Sequence, residues 1–123
     1  MAEAPGQPQL VPVPPSPPTI STHVLDTELG KPAEGVRVRL YRLDVGTAPI
    51  RMTQALTDAD GRVRDLLERP LTAGEYRLEF DLGDEEGAFF RRIAVDLSIT
   101  DVGRSYHVPL LLAPFSMTTY RGS

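Results

Sequence analysis

The sequence predicts an all-β protein, a two-sheet antiparallel sandwich of about eight strands, and three observations predict it. From Thr19 onward the apolar residues recur with a period of two, turn signals separate the periodic runs, and no window supports four turns of amphipathic helix. At 123 residues, the chain has room for one compact domain and no second core.

The elements follow in chain order. Seven of the 12 Pro lie within residues 1–18, in a run that includes VPVPPSPPT, so this stretch is expected to be a disordered tail outside the fold. Residues 19–123 are the expected domain. Ile20, Thr22 and Val24 share one strand face, with Ser21, His23 and Leu25 on the other. Val36, Val38 and Leu40 alternate with Arg37, Arg39 and Tyr41. Tyr76, Leu78 and Phe80 alternate with Arg77, Glu79 and Asp81, and Ile93, Val95, Leu97 and Ile99 with Arg92, Ala94, Asp96 and Ser98. Turn signals stand at Gly30-Lys31-Pro32, Asp44-Val45-Gly46, Asp60-Gly61, Ala73-Gly74 and Asp101-Val102-Gly103. The best helical candidate, Leu82 to Gly87, is short and bounded by Gly. Val108 to Pro114 is apolar on both faces, which predicts a strand covered on both sides and a subunit interface. The final segment is β-prone up to Tyr120.

Composition excludes several functions. With no Cys there is no disulfide framework, no thiolate nucleophile and no Cys-based zinc site, and two His are too few for an all-histidine zinc centre. A formal net charge of -4, with Lys31 the only Lys, argues against nucleic-acid binding through phosphate neutralisation. No run approaches the ~18 apolar residues of a membrane span. The start lacks a cationic and apolar leader, so a cytoplasmic location is expected.

The residues with chemistry are few. His23 and His107 both fall on the non-core side of their strands by alternation, and His is the side chain best suited to proton transfer near neutrality. Periodicity does not separate that role from a surface His with no task. Arg62 follows the Asp60-Gly61 turn and has the fork geometry for a planar or anionic ligand. Tyr120-Arg121-Gly122-Ser123 places a phenol, a guanidinium, a hydroxyl and a free carboxylate within four residues. Nucleophile-elbow, phosphate-loop and HExxH patterns are absent.

In STHVLDTELGKPAEGVRVRLYRLD (21–44), TDADGRV (57–63), GEYRLEFD (74–81), HVPLLLAPF (107–115) and the final TYRGS (119–123), the chain resembles the transthyretin-related family, specifically its hydrolase branch. The terminal YRGS carries the distinction from the hormone carriers of the same fold. The resemblance implies a transthyretin-like sandwich assembled as a homotetramer, a dimer of dimers, with active sites in a channel between the dimers. It implies hydrolysis of 5-hydroxyisourate in urate degradation, with His23, Arg62, His107 and Ser123 catalytic. His23 and Arg62, with Tyr120, Arg121 and Gly122, would bind substrate. No metal or cofactor is expected. The alternative is a non-catalytic carrier holding an aromatic ligand in the channel. Two features depart from the family pattern: Phe89-Phe90-Arg91 lacks the usual Pro, and Met117 stands where relatives carry Tyr.

Overall fold

The structure is a computed structural model that describes residues 17–83 and 87–122. Most of the expected 1–18 tail lies outside the described residues, as does Ser123; Pro17 and Pro18 precede the first strand. The helical candidate lies partly outside them too, and its described residues Leu82, Gly83 and Gly87 are not helical. Among the described residues no helix is long and apolar enough to cross a membrane.

The described residues form nine strands: β1 (Ile20–Asp26), β2 (Lys31–Pro32), β3 (Arg37–Leu43), β4 (Ile50–Leu56), β5 (Arg62–Val63), β6 (Gly74–Asp81), β7 (Arg92–Ile99), β8 (Tyr106–Ala113) and β9 (Ser116–Thr119). One sheet has the order β2-β1-β8-β9, with β5 also paired to β1, and the other has the order β4-β3-β6-β7. Two of the nine strands contain only two residues each, so seven longer strands stand beside the expected number of about eight.

Alternation builds the core directly. Ile20, Thr22 and Val24 of β1 and Tyr106, Val108 and Leu110 of β8 are buried, facing Val38 and Leu40 of β3 and Tyr76, Leu78 and Phe80 of β6. Leu66, Leu67 and Leu71, from the long β5–β6 connection, join the same cluster. Thr22 is the polar exception in β1, and its hydroxyl donates to the Val108 carbonyl at 2.6 Å, so no buried donor is left unmatched. Tyr76 is fully buried along its ring, while its hydroxyl donates to the Thr72 carbonyl at 2.6 Å and accepts from the Arg42 guanidinium at 2.9 Å.

The antiparallel sandwich contains one parallel pairing. The sandwich is antiparallel at every pairing except β1 with β8, which run parallel with His23 level with Pro109 and Ser21 level with His107. A parallel pair requires a crossover connection. Here that connection is nearly the whole domain, since β1 and β8 are the first long strand and the last. The pairing makes β8 a middle strand, as its two-sided apolar pattern requires: Pro109 is buried and Leu111 and Leu112 are half-buried.

Candidate active site

Because β1 turns Ile20, Thr22 and Val24 into the core, Ser21, His23 and Leu25 must face outward from the first sheet. The same parity on β8 turns His107, Pro109 and Leu111 outward. On β5, Val63 is buried opposite Thr22, so Arg62, opposite His23, faces outward as well. Three elements far apart in the chain thus bring His23, Arg62 and His107 to one sheet face. Directly opposed residues have Cβ atoms roughly 5 Å apart, which is the separation expected for His23 and Arg62. His23 and His107 are diagonal neighbours, with Cβ atoms roughly 8 Å apart from strand spacing and rise.

The C-terminal segment completes this face. β9 pairs Leu110 with Thr119. The bridge between His107 and Gly122 keeps the same register, so Tyr120 falls level with Pro109 and His23. Proline has no N–H to give to this edge. The strand stops at Thr119, whose hydroxyl donates to the Pro109 carbonyl at 2.8 Å, and pairing resumes only where the Gly122 amide donates to the His107 carbonyl at 2.7 Å. Tyr120 is about half exposed, and Tyr120 and Arg121 both border a groove against Asp96 and Leu97 of β7. Gly122 lies against the His107 ring, where a Cβ would come within 2.8 Å of Cδ2.

Local structure fixes each group. The imidazole of His107 is hydrogen-bonded through Nδ1 to the Ser21 hydroxyl at 2.8 Å, which leaves Nε2 as the nitrogen available to a ligand. Arg62 leaves a tight turn in which one oxygen of Asp58 accepts from the amides of Asp60 and Arg62, each at 2.9 Å. The Gly61 carbonyl accepts from the Val24 amide at 2.7 Å, which ties the turn to β1. Gly61 makes the turn possible: it sits at φ 75, and a Cβ there would lie 2.4 Å from the Val24 carbonyl oxygen.

The electrostatics of the face follow from that geometry. Partial burial holds His107 below the usual imidazole range, and the positive charges of Arg62 and His23 push it further the same way. This favours the neutral ring, the form able to accept a proton. Asp58 is held below the usual carboxylate range, first by the Arg62 amide and then by the Asp60 amide. Among the described residues no group of three or more His, Asp or Glu could hold a metal ion.

Of the residues singled out from the sequence, His23, Arg62, His107 and Gly122 meet on one face. Tyr120 is level with them, Arg121 borders the β7 groove, and Ser123 lies outside the described residues. Sequence reading missed Ser21 and Asp58. Ser21 had a usable signal, since it shares the outward parity of His23, but its partner is set by the parallel pairing. Asp58 had the weaker signal of an Asp at the start of an Asp-x-Asp-Gly turn.

The sequence model of the HIUase/Transthyretin family matches residues 20–122. The chain is 40% identical to the 5-hydroxyisourate hydrolase of Caulobacter vibrioides over 113 residues, covering 85% of this chain and 97% of that protein. Its fold superposes on the 5-hydroxyisourate hydrolase of Klebsiella pneumoniae with a TM-score of 0.73 at 37% identity, covering 86% of this chain and 99% of that one. Sea bream transthyretin in complex with thyroxine superposes with a TM-score of 0.74 at 29% identity, covering 84% and 93%. Backbone shape is thus equally close to a hydrolase and to a thyroxine-bound transthyretin, whereas sequence identity is higher to the hydrolases.

Proposed function

The chain belongs to the HIUase/Transthyretin family, and from that premise we propose that it hydrolyses 5-hydroxyisourate to 2-oxo-4-hydroxy-4-carboxy-5-ureidoimidazoline. The observation that carries this reading is the meeting of His23, Arg62 and His107 on one outward sheet face. A pocket built only to hold an apolar aromatic ligand has no use for two imidazoles and a guanidinium, whereas opening a cyclic amide needs a proton acceptor and an oxyanion partner.

In the proposed reaction His107 or His23 takes a proton from water as the water oxygen bonds to the ring carbonyl carbon, and the carbonyl electron pair moves onto oxygen. Arg62 stabilises that oxyanion and aligns the planar ring. The pair then returns to carbon, the C–N bond breaks, and the imidazolium gives its proton to the departing nitrogen. Tyr120 narrows the floor of the site, Arg121 and Gly122 contribute to binding, and Ser123 positions substrate or water through its hydroxyl. No metal or other cofactor enters these steps.

An outward sheet face is open to water on one side, and a homotetramer, a dimer of dimers, closes it by setting two such faces across a channel. The half-buried Leu25 and Leu111 that flank the polar residues support a covered face. Residues 19–123 then form the catalytic domain, with residues 1–18 as a tail outside it.

The test generates 5-hydroxyisourate in situ from urate with urate oxidase and follows its ultraviolet decay with and without the protein. Faster decay is expected, and decay at the spontaneous rate overturns the reading in favour of a carrier.

A further inference from the structure

Among the described residues Ser21 is the one side chain hydrogen-bonded to His107, with Oγ 2.8 Å from Nδ1, and the two residues are level across the parallel β1–β8 pair. A hydroxyl can donate to Nδ1 or accept from it, and the rest of the face decides between the two. Besides Ser21, the outward groups around this ring among the described residues are His23 on β1, Arg62 on β5 and Tyr120 on the C-terminal segment, together with the Gly122 backbone. Arg62 is a permanent cation with only donors to offer. A bare Nε2 lone pair suits a face that carries this fixed positive charge better than a second N–H does.

From this arrangement we infer that Ser21 is a positioning residue of the reaction: its oxygen accepts the Nδ1–H of His107 and holds the ring in the tautomer whose unprotonated Nε2 faces the substrate. The inference rests on the hydrolase reading and sharpens it, since it makes His107 rather than His23 the group that takes the proton from water. As that proton arrives on Nε2 the ring becomes an imidazolium, still donating from Nδ1 to Ser21, and the hydrogen bond strengthens with the charge. Gly122 holds the ring from another side, where a Cβ would meet Cδ2 at 2.8 Å. A carboxylate in place of Ser21 would stabilise the imidazolium before substrate arrives; a hydroxyl fixes the tautomer and leaves the ring neutral.

The chain has only two His, so ¹⁵N-histidine NMR reads each ring directly, with His23→Asn used for assignment. In the wild type, His107 is expected to show a protonated Nδ1 and a bare Nε2. Ser21→Ala should return the ring toward the Nε2–H form that free histidine prefers and lower kcat about tenfold, the scale of one lost hydrogen bond to a charged group. Ser21→Thr should restore both. A wild-type His107 protonated on Nε2, or a Ser21→Ala protein whose tautomer is unchanged, overturns the inference even if turnover is normal. A wild-type protein with the expected tautomer and no turnover overturns the hydrolase reading, and with it Ser21's part in that reaction.

Discussion

Gly122 rests against the imidazole of His107: its amide donates to the His107 carbonyl at 2.7 Å, and its missing Cβ would stand 2.8 Å from Cδ2. The ring cannot move aside without disturbing its Nδ1 bond to Ser21. Gly122→Ala is therefore expected to displace the imidazole and lower kcat about tenfold or more, because misplacement of a reacting group by an ångström is costly. KM should change less, and the melting temperature should move by only a few degrees because Gly122 is not part of the buried apolar cluster. Unchanged kcat would mean that the ring tolerates displacement.

Asp58 acts through the turn, where its carboxylate receives the amides of Asp60 and Arg62 that set the direction of Arg62. Asp58→Ala should lower kcat/KM by roughly fivefold while the protein remains folded, since the backbone bonds of the turn do not depend on the carboxylate. Asn keeps the accepting oxygen, so Asp58→Asn should recover most of the loss. Equal losses in the two variants would show that charge rather than turn geometry is what Asp58 supplies.

The part of this site that the sequence made legible is the part governed by strand parity. Ile20, Thr22 and Val24 alternate with Ser21 and His23, and Tyr106, Val108 and Leu110 with His107, so the outward direction of both imidazoles follows from the chain alone. Parity says nothing about which strands are neighbours. That Ser21 meets His107 depends on a parallel pairing across 86 residues, and no local pattern encodes it. β4 was illegible for a different reason: a register shift between Leu40 and Tyr41 breaks its match to β3, and as an edge strand it carries no clean alternation. Pro109 reads as an argument against a middle strand. The chain accommodates it by ending β9 at Thr119, beside the very point where the N–H is missing.

The pH dependence of activity follows from the surroundings of His107. Burial is the first cause of its lowered pKa, with Arg62 and then His23 adding to it. The acid limb of kcat/KM should therefore fall below the ordinary imidazole value of about 6.5. Replacing Arg62 with Met should raise the His107 pKa, read by NMR rather than by activity, without bringing it fully back to the ordinary value, because burial remains. A lowered folded pKa also means that the stability linked to neutral His107 is complete above the unfolded pKa and is lost as pH falls through the folded one. A His107 pKa above 6.5 in the folded protein would contradict the arrangement.

Acid should act on the fold in a second, lower window. Asp58, Asp65 and Asp96 are all held below the usual carboxylate value, by the Arg62 amide, the Thr19 hydroxyl and the Arg77 guanidinium respectively as the leading causes. Each binds its proton more weakly folded than unfolded, so its contribution is present above the unfolded pKa near 3.9 and disappears as pH falls through the lower folded value. Melting temperature measured against pH should fall modestly below about pH 4, because these carboxylates are largely exposed. Asp96→Asn should flatten that drop only slightly, because Asp96 and Arg77 form an exposed pair.

Gly61 and Gly46 separate backbone strain from close approach. Both have φ near 80, 75 at Gly61 and 79 at Gly46, so an alanine at either position pays the left-handed penalty of about 1–2 kcal/mol. Around Gly46 there is nothing within 4 Å of an added Cβ, whereas at Gly61 it would lie 2.4 Å from the Val24 carbonyl oxygen and 3.0 Å from Pro32 Cβ. These neighbours are held by the Val24–Gly61 and Ala33–Val24 hydrogen bonds, at 2.7 and 2.9 Å, so they cannot yield without parting β5 from β1. Gly46→Ala should therefore cost about 1 kcal/mol and leave turnover intact, while Gly61→Ala should cost about 2–4 kcal/mol in denaturant unfolding. Gly61→Ala should also reduce kcat/KM below that of Asp58→Ala, because separating β5 from β1 takes Arg62 away from His23. If Gly61→Ala lost stability but kept full activity at temperatures where it is folded, the pairing of His23 with Arg62 would not be what the reaction uses.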